Sequence, residues 1–234
     1  VSTRSHPEIA ELTANLEARR RLGLGLVEGG PDQLKVLLSL IMGQPLAQGL
    51  EAIARSIEGC TRCALAAGRR KIVLGQGPEP ACLMFIGEAP GAQEDRQGQP
   101  FVGPAGQLLE RMLAAVGLRR EEVYITNIVK CRPPENRNPR SKEVATCLTF
   151  LEAQVRAVAP RAICALGSSA VQTLLATDAP ISALRGRWAS FRGIPLLPTF
   201  HPAFLLRDPA RKAEAYKDLK ALIGLVPPAE RNVS

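Results

Sequence analysis

The sequence predicts an α/β protein: a three-layer α/β/α arrangement with a central, mostly parallel four-stranded sheet. Three observations carry this expectation. Short apolar runs at 82–86, 123–128, 162–166 and 195–199 read as strands buried on both faces. Segments near 104–117, 141–158 and 169–176 hold apolar residues at helical spacing. Strands and helices that alternate in this way build a parallel sheet with helices on both sides. A length of 234 residues suits one α/β domain with an appendage, or two small domains.

Residues 1–50 read as a helical N-terminal extension, and residues 51–234 as the α/β domain. Pro7 opens a helix carrying Ile9, Leu12 and Leu16, and Arg19, Arg20 and Arg21 lie near its end. Gly23, Gly29, Gly30 and Pro31 break the pattern before Asp32 caps a second apolar helix over 34–42. No catalytic pattern falls in this extension, so it reads as an appendage or as a docking segment for a protein partner. Leu50, Ile53 and Ile57 then form a helical stripe that ends at Cys60. The run CLMFI, Cys82 to Ile86, reads as a strand, and GEAPGAQEDRQGQPFVGPAGQLL, Gly87 to Leu109, follows it. Helical spacing resumes with Leu108, Leu109, Met112, Leu113 and Val116. The stretch between is a loop at the carboxyl end of a strand, where open α/β sheets bind ligands. It carries Glu88, Glu94, Asp95 and Phe101. A further strand ends at Asn127, another is followed by His201, and a last helix opens at Asp208-Pro209 and stops before Pro227.

A net charge of +8 and a pI near 9.5 favour a polyanionic partner, nucleic acid ahead of a membrane surface. No apolar run approaches a bilayer span; the longest, 36–42, contains Ser39. The first residues lack the apolar core of a signal peptide. Six cysteines in such a chain point to a reducing compartment and to metal ligation ahead of disulfides. Cys82 and Cys164 sit inside strand-like runs and read as core. Cys60 and Cys63, in a C-x2-C pair, with Cys131 and Cys147 form a thiolate set for zinc or an iron–sulfur cluster. Spacing alone does not choose the metal, although the second pair is too widely spaced for a zinc ribbon.

Residue types alone leave His201 open to a reading as a backbone-bonded strand-end histidine, Asn127 as a turn residue and Phe101 as core. The motifs around them narrow this. The stretch from Gly87 to Leu109 resembles the first signature of family 4 uracil-DNA glycosylases, the iron–sulfur branch of their superfamily. HPAFLLR, His201 to Arg207, is similar to the family's second signature, and TNIVKCRPPENR, Thr126 to Arg137, to its Asn segment. The resemblance spans roughly 57–222, with the four cysteines in family order.

The resemblance implies a monofunctional DNA-repair hydrolase that cleaves the N-glycosidic bond of deoxyuridine, releasing uracil and leaving an abasic site. It implies a [4Fe–4S] cluster on Cys60, Cys63, Cys131 and Cys147. His201 would face uracil O2 as charge develops, Asn127 would pair with O4 and N3–H, and Phe101 would stack under the flipped base. Glu88 would line the uracil pocket. Ala89 stands where related families place a water-activating Asp. Glu94 would guard the pocket against the thymine methyl, and Asp95 would orient the loop. Leu205 and Arg207 would enter the gap left by the flipped base. Arg137 and Arg185, with Arg69, Arg70, Lys71, Lys130, Arg132, Arg140 and Arg187, would follow the phosphates. The segment 181–188 contains no His and position 89 is not Gln, so turnover is expected in place of covalent attachment to DNA. The expected partner is uracil-containing DNA, single- or double-stranded, met by a monomer in a bacterial or archaeal cytosol or nucleoid. The competing classes are a non-catalytic iron–sulfur DNA-binding module and an iron–sulfur electron carrier; the long α/β body and the basic charge weigh against the carrier.

Overall fold

The computed structural model describes residues 49–225. The helices expected at 7–21 and 34–42 lie outside them. The described chain opens with α1 (Leu50–Ile57), whose Ile53 and Ile57 are buried as the apolar stripe requires. β1 (Leu83–Gly87), β2 (Tyr124–Asn127), β3 (Ala162–Leu166) and β5 (Ile194–Thr199) are the expected strands, within a residue or two. A fifth strand, β4 (Ala189–Phe191), was not legible in the pattern. It has three residues, and it pairs with β5 through a two-residue turn at Arg192 and Gly193, both at positive φ, as tight hairpins require.

The sheet runs β2-β1-β3-β5-β4, and only β4 is antiparallel. Helices fill the crossovers: α2 (Ala92–Gln97) and α3 (Pro104–Ala115) after β1, α4 (Ser141–Val158) after β2, α5 (Ser168–Leu175) and α6 (Ile181–Leu184) after β3. After β5 come α7 (Pro202–Arg207), a 3-10 turn over 209–211, and α8 (Lys212–Gly224). The Asp208 side chain does not cap this last helix; the turn intervenes. α4 starts where Glu143 reaches back to the Arg140 amide, at 2.7 Å, and so satisfies one of the orphan donors of the first turn.

The strand period sorts the core into two layers. Met84, Ile86, Tyr124 and Ile163 point to the face covered by α1 and α4, with Phe150, Leu151 and Val155. Leu83, Phe85, Ile125 and Cys164 point to the face covered by α3 and α8, with Leu109, Leu113, Leu219 and Leu222. Both faces are covered, which is why β1 and β3 read as continuous apolar runs and are buried throughout. Cys164 is core as expected, while Cys82 falls one residue before β1 and is half-buried.

One polar cluster ties α8 to the sheet. Asp218, 3% exposed, accepts from the Thr199 hydroxyl at 2.7 Å and from Arg185 at 2.5 and 3.1 Å. Arg185 also donates to the Glu214 carbonyl at 2.8 Å and pairs with the Glu214 carboxylate. Removing one partner of a buried pair strands the other. Asp218→Ala should therefore cost about 3 kcal/mol, the lower end for a broken buried pair because Glu214 remains on Arg185. A urea midpoint unchanged from wild type would show that the pair contributes nothing.

Candidate active site

Strand order places the site. The chain leaves β1 for β2 on one side, then crosses to β3 on the other. The crevice at the carboxyl ends of β1 and β3 is the topological switch point where such sheets bind ligands. A cleft of about 690 Å³ opens there. Every parallel strand brings a residue to it: Glu88 follows β1, Asn127 ends β2, Gly167 follows β3, and His201 follows β5. Ala89, Glu94, Phe101, Arg137 and Arg207 also line it.

Parallel register sets Gly87 beside Asn127. A Cβ at position 87 would lie 2.5 Å from Asn127 Oδ1 and 2.6 Å from the Phe101 ring, so only glycine lets the amide and the ring close on this strand end. Asn127 is 1% exposed, and its Oδ1 has no hydrogen-bond partner. Buried acceptors are seldom left unpaired, and those that are need a reason. Phe101 is buried with its backbone at φ 51°, and its ring centroid lies 5.6 Å from that of His201.

His201 caps α7. Its Nδ1 accepts the Ala203 amide at 3.0 Å, so in the neutral ring the hydrogen sits on Nε2. Burial, aided by the positive charge of Arg207, pulls its pKa down to about 4, with Glu94 opposing. The side chain is thus a neutral donor on the cleft. Glu94 spends its carboxylate on the loop: Oε1 accepts from Val102 and Gly103 at 2.9 and 2.8 Å, and Oε2 from Gly91 at 3.1 Å. Asp95, 2% exposed, accepts the amides of Arg70 and Lys71. Glu88 is half-buried; burial raises its pKa above the ordinary carboxylate range, and a hydrogen bond with Ser169 opposes the rise.

The sequence model of the uracil DNA glycosylase superfamily matches residues 74–220. A type-4 uracil-DNA glycosylase from Pyrobaculum aerophilum is 41% identical over 184 residues, 75% of this chain and 93% of the relative. One from Thermotoga maritima is 42% identical over 163 residues, 68% of this chain and 84% of the relative. A type-5 uracil-DNA glycosylase, also from Pyrobaculum aerophilum, is 34% identical over 142 residues, 53% of this chain and 62% of the relative. The chain belongs to the uracil-DNA glycosylase superfamily, in its type-4 family.

Several expectations for a member of that family need correction. Leu205 is fully buried against Leu108, Phe200 and Ala215, so it cannot enter DNA; the helical turn of α7 exposes Leu206 instead, at 40%. Arg185 is occupied by Asp218 and Glu214 and stacks 5.4 Å from the Phe200 ring, so it braces the core and is not free for a phosphate. Lys130 lies in the loop after β2 but is not available to a phosphate. It is fully buried, and its ammonium donates to Thr126 Oγ1 at 2.7 Å and to the Asn127 carbonyl at 2.6 Å. Burial pulls its pKa down to about 7. Arg137 lines the cleft while holding Glu143 in a bidentate pair at 2.7 and 2.9 Å. Arg207 stands exposed on the cleft with no ion-pair partner among the described residues.

None of the four candidate cysteines is in a disulfide. Cys131 and Cys147 are buried, and Cys60 and Cys63 pack on the same core layer. Cys131 feels the charges of Cys147 and Cys63, and Cys147 those of Cys63 and Cys60, so the four thiols converge on one region. Donors aim at two of the sulfurs: Arg69 Nη1 lies 3.6 Å from Cys131 Sγ, and the Lys130 amide 3.3 Å from Cys147 Sγ. As free thiols both are held protonated by burial, Cys131 up to about 11. Among the described residues no three ligating side chains close on a single metal ion. Four thiols gathered in one region are the donor chemistry that thiolate-held zinc or iron–sulfur centres use.

His201 makes a pH prediction. Its folded pKa lies below the unfolded value near 6.5. Folding thus favours the neutral ring; that contribution is present above about pH 6.5 and lost as pH falls toward 4. The resonance that disappears in His201→Gln should titrate near 4 in histidine NMR spectra. A midpoint at or above the ordinary value would contradict the neutral-donor geometry.

Proposed function

We propose that this glycosylase hydrolyses the N-glycosidic bond of deoxyuridine in DNA, releasing uracil and leaving an abasic site. The observation that carries the reading is the unpaired Oδ1 of Asn127, a buried residue at the edge of the cleft that the neutral His201 and the buried Phe101 also line. A uracil turned out of the stack donates its N3–H to that oxygen and accepts at O4 from the amide nitrogen. Cytosine presents the reverse pattern and leaves both groups unpaired, a heavy penalty in a buried site. Phe101 stacks on the base.

As the glycosidic bond breaks, its electron pair leaves with uracil and negative charge grows on O2. Nε2–H of His201 donates to that oxygen without transferring its proton, because the imidazole is neutral and hard to protonate. Water then bonds to C1′ of the cation-like sugar, and the proton it loses is the one that neutralises the uracil anion. Ala89 has no carboxylate to activate that water. Of the two acids lining the cleft, Glu94 is engaged by backbone amides, which leaves Glu88 to hold the water. Arg207 and Arg137 take phosphates flanking the target, the exposed Leu206 fills the vacated stack, and Arg70 and Lys71 extend the basic track.

Cys60, Cys63, Cys131 and Cys147 would hold a [4Fe–4S] cluster, whose contribution would be a structural cross-link between the segments at 60–63 and 131–147, next to the Arg137 loop at the cleft, and no step of the reaction. No helix among the described residues is long and apolar enough to cross a membrane. The protein acts as a monomer in a reducing cytosol, which keeps cysteines available as thiolate ligands, and residues 1–50 are left as an extension for a protein partner.

Uracil release from U·G duplexes in single turnover tests the reaction. His201→Ala should cut the rate at least ~100-fold, the lower end for losing an oxyanion-type donor, while DNA affinity stays near wild type because phosphate contacts dominate it. Asn127→Asp should slow release as well, since a carboxylate cannot donate to O4 and repels the leaving anion. Wild-type protein that binds uracil-containing DNA but never releases uracil would favour the non-catalytic binding module.

The cluster has a separate test. Cys147→Ser should lose iron and the visible absorbance of the purified protein, and should melt earlier, because ligation is coupled to folding. Cys164→Ser lies outside the set and should retain iron. Full iron content in Cys147→Ser would remove that residue from the ligands.

A further inference from the structure

Arg120 was singled out by nothing in the sequence. It sits in the 3-10 turn 120–122 that leads into β2, with its side chain 15% exposed, and it does not line the cleft. Its guanidinium donates to the Phe101 carbonyl at 2.8 Å and to the Pro100 carbonyl. The same group reaches Glu110 at 3.3 Å and Gln76 at 3.4 Å. These acceptors occupy the fork, so Arg120 is not a spare cation waiting for a phosphate.

We propose that Arg120 is the positioning residue of the stacking platform, holding the Phe101 backbone in the one conformation that puts its ring on the floor of the cleft. The proposal rests on the reading of Phe101 as that platform. Phe101 lies at φ 51°, a left-handed conformation that bulky residues rarely adopt unless their surroundings impose it. Two features impose it here. A Cβ on Gly106 would fall 1.8 Å from the Phe101 carbonyl oxygen, so that oxygen sits against a bare turn of α3. The Arg120 fork then bonds this carbonyl and the one before it. Relaxing Phe101 to an ordinary conformation would turn its carbonyl away from the fork and swing the ring off Gly87.

The anchor also fixes the platform relative to the base-reading amide. Gln76, which Arg120 bonds, is bridged by backbone hydrogen bonds to Ile125 at 2.8 and 2.9 Å. Ile125 is in β2, two residues before Asn127. One guanidinium therefore ties the loop that carries the ring to the strand that carries the amide. Lysine cannot substitute, because a compact ammonium does not span two carbonyls in a planar fork.

A double-mutant cycle of wild type, Arg120→Met, Phe101→Leu and the double variant tests this, with Arg120→Ala in both the Phe101 and the Phe101→Leu background for chemical rescue. Single-turnover uracil release is measured at saturating enzyme, beside binding to a uracil-free duplex and iron content. Arg120→Met should slow release on the order of 10-fold, within what a small misplacement remote from the chemistry can cost. In the Phe101→Leu background the same change should cost less than about 2-fold, because no ring remains to misplace. Uracil-free binding and iron should not move. Guanidinium ion added to Arg120→Ala should restore part of the rate only when Phe101 is present. Should Arg120→Met not fold, Arg120→Lys completes the same cycle. A slow Phe101→Leu combined with losses that multiply, or with a wild-type rate in the Arg120 variant, overturns the inference and leaves the platform standing. A wild-type rate in Phe101→Leu overturns the platform, and the inference with it.

Discussion

The parallel pairing of β1 with β2, which sets Gly87 against Asn127, is the constraint on which the site depends. Register moves in whole residues, and a slip of one would turn the Asn127 side chain to the opposite face. At this register the missing side chain at position 87 opens the space that the amide and the Phe101 ring occupy. The pairing also ends both strands at one level, so that Glu88 and Asn127 enter the same crevice. The packed layers above and below the sheet hold that level. Met84 and Ile86 on one side and Leu83 and Phe85 on the other leave the strand no freedom to slide without burying the wrong face.

Around this fixed end the polar groups divide by task. Glu94 and Asp95, adjacent in sequence, are both consumed by backbone amides and give shape to the loop. Lys130 does for the end of β2 what Glu94 does for the loop, bonding the carbonyl of Asn127 from within the core. Groups left with unspent hydrogen-bonding capacity in residues that line the cleft include the Asn127 oxygen, the Nε2–H of His201, the half-buried Glu88 and the Arg207 guanidinium. A site built this way is preorganised, since the residues that would otherwise reorient during the reaction are already bonded from behind.

Most of the architecture was legible because it depends on period and position. The apolar runs of the parallel strands and the 18-residue helix at 141–158 announce themselves through burial on both faces and through helical spacing. β4 did not, because three residues carry no period and its turn is recognisable only beside its partner strand. That Asn127, His201 and Phe101 would meet at one cleft was legible because a motif carried each of them. What failed was the direction of side chains on short elements. Nothing local distinguishes Leu205 from Leu206, and the packing of α7 on Ala215 and Leu108 decides which of them is buried. Arg185 and Lys130 look like ordinary surface cations until Asp218 and Thr126 are brought to them by the fold. Arg120 meets the platform loop only in three dimensions.

The distribution of charge explains how a chain of net charge +8 can stabilise an anion without binding one tightly at the reacting base. Exposed cations, Arg70, Lys71, Arg140, Arg187 and Arg207 among them, face solvent, where they attract polyanions at long range and lose strength with salt. Inside the cleft the donor is a neutral imidazole. A cation in its place would attract any anion of suitable size, including the uracil product after release. In the proposed reaction a neutral donor oriented by the Ala203 amide would interact weakly with the uncharged base and strongly only as charge develops on O2. Arg207 reinforces this from outside, because its positive charge helps to keep the imidazole unprotonated. On this reading affinity for the polymer rests on exposed cations and stabilisation of the leaving group on His201, and Arg207 alone of these residues takes part in both.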